Sequence, residues 1–435
     1  MKVSLINASV GKSSNWSVDI KPRITTYPAL SLAILAALTP PEFEVEIIND
    51  EFDRIDFNEK TDLAGISFLT AAAPRAYKIA DEFRKRGVKV VLGGVHVSAL
   101  PEEASEHADS VVVGEGEEIW PVLLDDFKNG SLKKTYVAKN PVDLSRIPNA
   151  RLDLLKRKHY ITTNVIQASR GCPFDCEFCS IKELFGKYPR FRPVKAVIGE
   201  ITAMKRDRVL LFTDDNLVLN PNYAKELFTA LIPLKINWIG EASWVIGKKH
   251  ELLKLLRKSG CIGLLIGFES IHDQMHTKKL SRYKDMRYVY REAVENLHKH
   301  KIVVVGAFVF GFDNDRMATF KETLKFCYEA GIDIAEFNSL TPFPGTPIYK
   351  RLSGENRIFT RDWSKYTYEP PGEVFYPKNI TNAELTNGIR ALYRSFYSYK
   401  RLLPLLFRTL IRYRNLPKVF YMFLIFMGYR KKTKF

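Results

Sequence analysis

Cysteine is scarce in this chain, five in 435 residues, and the number is odd. Three of the five, Cys172, Cys176 and Cys179, crowd together while Cys261 and Cys327 stand alone. That pattern excludes a disulfide framework and points to a reducing, cytosolic setting. The N-terminus, MKVSLINASV, lacks the charged-then-apolar layout of a secretory signal and reads as a strand from its start. In the tail the apolar run VFYMFLIFMGY (419–429) has 11 residues, against the ~20 that a membrane-spanning helix needs. Such a run lies on a membrane or is buried in a core. Acidic residues are missing from position 400 onward, where ten Lys or Arg occur. Over half of the net charge of +17 therefore sits in the last 36 residues, and the total does not by itself call for nucleic acid.

What is present is apolar enough for more than one core. Hydrophobic residues make up 46% of the chain, and this length divides into two or three domains. Up to about residue 130, apolar runs (KVSLIN, EVEIIND, DLAGISFLT, KVVLGG, SVVVGEGE) alternate with amphipathic stretches (YPALSLAILAAL, AYKIADEFRKRG, WPVLLDDFKNG). The alternation predicts an α/β fold with a doubly wound, Rossmann-like parallel sheet over 1–135. Scattered charges with Pro141 and Pro148 mark a linker over 136–160. From Val165 the alternation resumes with NVIQASRG, RVLLFTDD, INWIGEAS, IGLLIGFES, IVVVGAFVFGF and IDIAEFNSLTPF, separated by helical segments. Six such units predict a partial (β/α)6 barrel of TIM type over 161–350. The periodicity then weakens into a small, mostly helical C-terminal region, 351–435, with a basic aromatic tail.

The segment ASRGCPFDCEFCS places three thiols directly after the first barrel strand. Thiolates are soft ligands suited to Fe–S clusters, and three on one loop can hold three corners of a cubane with the fourth iron open. Zinc is the alternative, although a structural zinc site needs four ligands and no Cys or His couple follows Cys179. Carboxylates recur near later strand ends: Asp214 and Asp215 in FTDDN, Glu241 in GEAS, and Glu269 beside Ser270 in GFES. Barrel folds build active sites there, and these groups bind an ammonium or ribose hydroxyls; each is also a candidate helix cap or turn. In the first sheet, Ser67, Thr70, Gly93, Gly94, His96 and the Gly114-Glu115-Gly116 turn fall at strand ends, where open α/β sheets bind ligands. Gly93 and Gly94 at a strand end would let the backbone approach a bulky ring. His96 has either a cofactor contact or a solvent-exposed or capping role.

CxxxCxxC with an aromatic, Phe178, before the last cysteine resembles the radical S-adenosylmethionine (SAM) superfamily, over roughly residues 160 to 350. The resemblance implies a [4Fe–4S] cluster on Cys172, Cys176 and Cys179, whose open iron chelates SAM. It also implies SAM binding by Phe178, Asp214, Asp215, Glu241, Glu269 and Ser270, with Phe178 near the adenine. GISFLT, GGVHVSALPEEA and VVVGEGEE resemble the cobalamin-binding domain ahead of the barrel in one large subgroup. Ser67, Thr70, Gly93, Gly94, His96, Gly114, Glu115 and Gly116 are its implied cobalamin-binding residues. No Asp-x-His-x-x-Gly loop occurs, so His96 is not assigned as a cobalt ligand. From the N-terminus to about residue 395 the chain is similar to the cobalamin-dependent radical SAM enzymes that include hopanoid 2-methylases and the anaerobic Mg-protoporphyrin monomethyl ester cyclase.

This resemblance implies a metal-binding transferase, a C-methyltransferase. A 5′-deoxyadenosyl radical made from SAM at the cluster would take hydrogen from an unactivated carbon, and methylcobalamin would supply the methyl. The tail points to an apolar, lipid-like substrate and to peripheral contact of residues 400–435 with the inner face of a membrane. A flavodoxin or ferredoxin is the implied electron donor. A radical cyclase that uses cobalamin without methyl transfer is the alternative. From another class, the chain reads as a cobalamin or metal sensor with a nucleic-acid-binding tail. The apolar block FLIF argues against that, since phosphate-tracking segments need charge; no nucleic acid is expected.

Overall fold

The computed structural model describes residues 1–10, 27–205, 208–272, 286–368, 372–413 and 416–432. The first half folds into a sheet of β1 (Lys2–Asn7), β2 (Glu44–Asn49), β3 (Leu63–Ser67), β4 (Lys89–Gly93), β5 (Ser110–Val113) and β6 (Thr135–Val137). All pairings are parallel, in the order β2-β1-β3-β4-β5-β6. Runs such as VVL in β4 and VVV in β5 are continuous because helices cover both faces of the sheet. The chain reverses its winding between β1 and β3, the position at which open α/β sheets take ligands beyond their carboxyl ends.

The second sheet contains β7 (Val165–Ile166), β10 (Leu210–Phe212), β11 (Trp238–Ser243), β12 (Cys261–Glu269), β13 (Val303–Phe310) and β14 (Ile334–Ser339). These strands are also parallel, in the order β14-β13-β12-β11-β10-β7, and the six units expected from the sequence are all present. The end strands β7 and β14 do not pair, so the barrel is partial. Two further short strands, β8 (Ser169–Arg170) and β9 (Arg190–Phe191), pair antiparallel. The free edge of β14 is covered by tyrosines of the helix Asn382–Phe396 and the residue after it. Tyr397 Oη accepts from Ala335 N–H at 3.1 Å and donates to Ala335 O at 2.8 Å, and Tyr393 Oη accepts from Phe337 N–H at 3.0 Å. Without them the edge would expose unpaired backbone groups.

Two more helices, Tyr399–Tyr413 and Leu416–Lys432, complete the C-terminal region. The apolar run foreseen in the tail is part of the second. Met422 and Phe426 are buried in the barrel's outer core, with Tyr397 edge-on to Phe426 at 5.3 Å. Among the described residues no helix is long and apolar enough to cross a membrane.

One apolar core joins the two sheets. Ile66, Phe68, Leu92 and Val97 from the first pack with Val309, Phe312 and Leu340 at the ends of β13 and β14, and with Trp363 and Phe375 beyond. The carboxyl-end regions of both sheets therefore meet. The linker is fixed as well: Val142, Leu144 and Ile147 bury against Ile34, and Ala150 N–H donates to Glu200 at 3.0 Å.

Replacing Tyr397 by Phe should leave a buried N–H and C=O of β14 unsatisfied, at about 1–3 kcal/mol. A lower denaturation midpoint for Tyr397→Phe than for wild type is expected by circular dichroism in urea. An unchanged midpoint would contradict the edge-covering role.

Candidate active site

The loop bearing the three cysteines leaves the barrel at β8 and returns at β9, and the antiparallel pairing of those strands closes its base. Gly171 opens the loop at φ +89°, where a Cβ would lie 2.9 Å from the Tyr188 carbonyl oxygen, so the turn requires glycine. Cys172, Cys176 and Cys179 are free, half-buried thiols. Burial, then the neighbouring Cys179 and Glu269, push Cys176 up to about 12, and chiefly burial pushes Cys179 up to about 11. Such thiols stay protonated until a metal displaces the proton. Phe178 packs edge-on to Phe312 at 5.9 Å, at the junction of the two sheets.

Burial alternates along the inner strands. Leu264, Ile266, Phe268 and Phe308 are buried against the surrounding helices, whereas Ile239, Glu241, Leu265, Gly267, Glu269, Val303, Val305 and Ala307 remain accessible. Barrels of this kind commonly fill their interior with side chains; here the inward positions keep part of their surface accessible. Burial pushes Glu269 up to about 7 and Asp215 up to about 6. Glu241 rises to about 8 through burial and the charges of Asp215, Glu336 and Asp214. Glu269 sits at φ +59° on a bulge of β12, a strained backbone that folds its carboxylate back over Gly267. Among the described residues, Arg170, acting on Asp215, is the one cation among the principal charges on these carboxyls. A chamber so lined favours a ligand that carries positive charge.

Two residues expected beside these have local partners instead. Asp214 is fully buried, accepting from Ala168 N–H at 3.0 Å and Ser169 Oγ at 2.6 Å, and burial pushes it up to about 7. It holds the strand leading into the cysteine loop. The Ser270 hydroxyl accepts from His272 N–H at 3.2 Å in a turn. Asp215 accepts from Gly171 N–H at 3.2 Å, at the root of the loop.

Three chamber residues escape the sequence reading. Tyr27 and Tyr368 keep 46% of their surface accessible, yet burial raises both phenols, Tyr27 to about 12 with Glu241 and Glu336 adding to it. Glu241 acts on both phenols, so both stand near the barrel's carboxyls. Glu336 on β14 accepts from Tyr429 Oη of the last helix at 2.6 Å. None of these positions belongs to a motif, and only folding brings residues 27, 336, 368 and 429 to one barrel.

At the carboxyl ends of the first sheet, Gly94 has φ +105°, and a Cβ there would lie 2.8 Å from Phe68 O. Glycine is obligatory at that point. At Gly93 the nearest heavy atom to a Cβ position is 3.9 Å away and at Gly116 it is 3.7 Å, so local packing does not demand glycine. Ser98, within GGVHVSALPEEA but not among the residues singled out there, donates to Gly94 O at 2.9 Å and accepts from Gly114 N–H at 2.9 Å, joining two strand-end loops. Ser67 is half-buried and Thr70 buried in the turn after β3.

His96 requires a correction. It is neither solvent-exposed nor a helix cap but fully buried, with Nε2 3.2 Å from Tyr77 Oη and 3.3 Å from Glu103 Oε1, and its ring edge-on to Trp363 at 5.3 Å. The apolar core shared by the sheets closes over it, and burial lowers its pKa. Nδ1 is left without a hydrogen-bond partner among the described residues. The carboxylate of Glu115 is likewise engaged, with Arg170 at 2.8 Å, Arg190 at 2.9 Å and Val142 N–H at 3.1 Å. Its side chain faces the barrel because the buried Arg170 and the part-buried Arg190 approach from there.

A sheet with a ligand-binding edge facing a partial barrel with three loop thiols and a carboxylate-lined chamber defines a two-cofactor radical enzyme. The Radical SAM superfamily profile matches residues 166–327 and the B12 binding domain profile matches 23–124. The bacteriochlorophyllide d C-12(1)-methyltransferase of Chlorobaculum tepidum is 34% identical over 381 residues, covering 85% of this chain and 82% of that one. The C-8(2)-methyltransferase of the same organism is 32% identical over 408 residues, covering 86% and 89%. In fold, the chain resembles the cobalamin-dependent SAM radical enzyme OxsB solved with aqua-cobalamin and SAM, with a TM-score of 0.69 at 16% identity over 99% of this chain and 71% of that one. The chain belongs to the radical SAM superfamily, in the branch that carries a B12 binding domain. It is a cobalamin-dependent methyltransferase of that branch, using a [4Fe–4S] cluster, SAM and cobalamin.

The residues fit these groups. Three thiols on one glycine-hinged loop suit an iron–sulfur cluster, a chamber rich in carboxyls suits the ammonium and sulfonium of SAM, and the space above Gly93 suits a bulky ring.

The Glu241 carboxyl titrates near 4 in an unfolded chain and at about 8 in the fold. Above about pH 4 the folded state therefore holds the extra proton, and stability falls as pH rises through 8. Between about pH 6.5 and 8.5, the melting temperature of the cofactor-free protein should drop more in wild type than in Glu241→Gln. Parallel curves would rule out a proton-holding Glu241.

Proposed function

We propose that this enzyme methylates an unactivated carbon on a large, apolar, ring-bearing substrate of the bacteriochlorophyllide kind. The observation that carries this reading is the partial exposure of the apolar residues Ile239, Leu265, Val303, Val305 and Ala307 along the inner strands of the barrel. Water-exposed apolar walls are stabilised when an apolar body covers them. The two relatives named for methylating bacteriochlorophyllide d support the same class.

In this reading Cys172, Cys176 and Cys179 hold the cluster, which supplies the reducing electron that opens SAM. Glu241, Glu269 and Asp215 receive the cationic end of SAM, and Phe178 flanks its adenine. Asp214 and Ser270 act one step back, by holding the strand and turn on which those residues sit. In the first domain, Ser67, Thr70, Gly93, Gly94 and Gly114 form the floor for cobalamin. Gly94 and Gly114 both need φ values that other residues resist, +105° and +88°. A small redox protein such as a flavodoxin or ferredoxin delivers the electron.

The tail contributes to delivery. Leu403, Phe407, Leu410 and Ile411 are exposed along one side of the helix Tyr399–Tyr413, at i, i+4, i+7 and i+8 spacing. Residues 400–435 add ten cations and no acid. That combination suits peripheral contact with the anionic inner face of a membrane, where an apolar substrate resides.

Anaerobically reconstituted protein, incubated with methyl-labelled SAM and a bacteriochlorophyllide, should transfer label to product with a mass gain of one methylene. Label in a polycyclic lipid instead would move the substrate class, and a product without added carbon would replace methyl transfer by cyclisation. Cys176→Ala should lose the cluster's visible and EPR spectrum together with SAM cleavage. A retained cluster in that variant would remove Cys176 from the ligand set.

A further inference from the structure

We propose that Arg170 is a positioning residue that sets the register between the cobalamin-binding face and the cysteine loop. This rests on the two-cofactor reading above. Arg170 is the last residue of β8, two positions before Cys172. Its side chain is 6% exposed and reaches the loop after β5 of the other domain, where Nη1 meets Glu115 at 2.8 Å and Nη2 meets Glu117 at 2.6 Å. Nε donates to Gln167 Oε1 at 2.7 Å. Each nitrogen of the guanidinium thus has a carboxylate or amide oxygen.

Both ends of this link are stiff. Glu115 is held a second time by Arg190, at 2.9 Å, and its loop begins at Gly114, where a Cβ would lie 2.9 Å from Ala138 Cβ. On the barrel side only Gly171 separates Arg170 from the first cysteine, and that glycine is enclosed by backbone and tied to Asp215. A shift of the Glu115–Glu117 loop is therefore passed to Cys172 with little slack.

The pair is not needed for adhesion. The shared apolar core already holds the two sheets together, and buried ion pairs contribute little net stability because desolvation offsets attraction. What three directional contacts add to a non-directional apolar core is a fixed alignment. In an enzyme that must hand one reactive group from SAM and another from cobalamin to the same carbon, alignment decides whether radical formation ends in product. A misplacement of about 1 Å costs about a hundredfold in such geometry.

The test compares wild type with Arg170→Met, which keeps length and loses the contacts, and Glu117→Gln, which keeps the Glu115 contact. Iron and cobalt content, the distance distribution between reduced cluster and Co(II) by pulsed EPR, and 5′-deoxyadenosine formed per methylated product are measured for each. Expected for Arg170→Met are bound cofactors, a broadened distance distribution, and a ratio raised about tenfold or more; Glu117→Gln should fall between. An unchanged distribution and ratio in Arg170→Met would overturn the proposal, as would loss of either cofactor from both variants, which marks a purely structural role. If Arg170→Met alone fails to fold, a broadened distribution in Glu117→Gln supports the proposal and a wild-type one overturns it. The distance measurement needs no substrate. If wild type methylates none of the candidates, the substrate reading fails while the register is still tested.

Discussion

The apolar core shared by the two sheets is the constraint on which the rest of this structure depends. Each sheet is parallel, so each gathers the free ends of its strands, and the loops that can bind a ligand, at one edge. Phe68, Leu92 and Val97 bury against Val309, Phe312 and Leu340, and that contact turns one ligand-binding edge toward the other. The buried position of His96, the Glu103 carboxylate that accepts from Trp363 Nε1–H at 2.9 Å, and the Arg170–Glu115–Glu117 contacts all lie along this junction. An apolar contact is strong but tolerant of sliding, and the polar contacts at its margin restrict that freedom.

The barrel interior follows a different balance. Gly267 leaves room for the Glu269 carboxylate that folds over it, and β11 and β14 add Glu241 and Glu336. Three of the acids that border it or its loop, Asp215, Glu241 and Glu269, are pushed above the ordinary carboxyl range. The site thus stores electrostatic strain that a cationic ligand relieves. The bulge at Glu269 adds backbone strain at the same place. Such strain is tolerated because the outer shell of Phe268, Phe308, Phe326 and Phe337 is densely packed behind it.

The tail illustrates how one composition serves two surfaces. Its aromatic residues read equally as a membrane-facing stripe and as a small core, and the fold divides them. Phe426 and Tyr429 turn inward, with Tyr429 stacked on Tyr397 at 5.0 Å and bonded to Glu336. Leu403, Phe407 and Ile411 turn outward.

Much of the fold was legible in the sequence because local patterns determine it. The period of apolar residues gave both parallel sheets and all six barrel strands, and the spacing of Cys172, Cys176 and Cys179 followed by their place after the first strand pointed to the cluster. Glycine in GGVHVS and VVVGEGE marked strand-end loops, since positive φ is a property of single residues. The short β6, with only the weakly patterned TYV, was not legible. Nor were the partners of charged groups: Glu115 looked like a ligand-binding residue until Arg170 and Arg190 met it, and His96 stood open between a cofactor contact and an exposed or capping role until Trp363 covered it. Tyr27 lies more than 300 residues before Glu336, Tyr368 and Tyr429, and the four share no spacing. The sequence by itself determined the elements, their order and the three-cysteine loop, because those depend on neighbours along the chain. Only the tertiary structure decided which acid is paired, which histidine is buried and what lines the chamber, because burial and Coulomb interactions depend on neighbours in space.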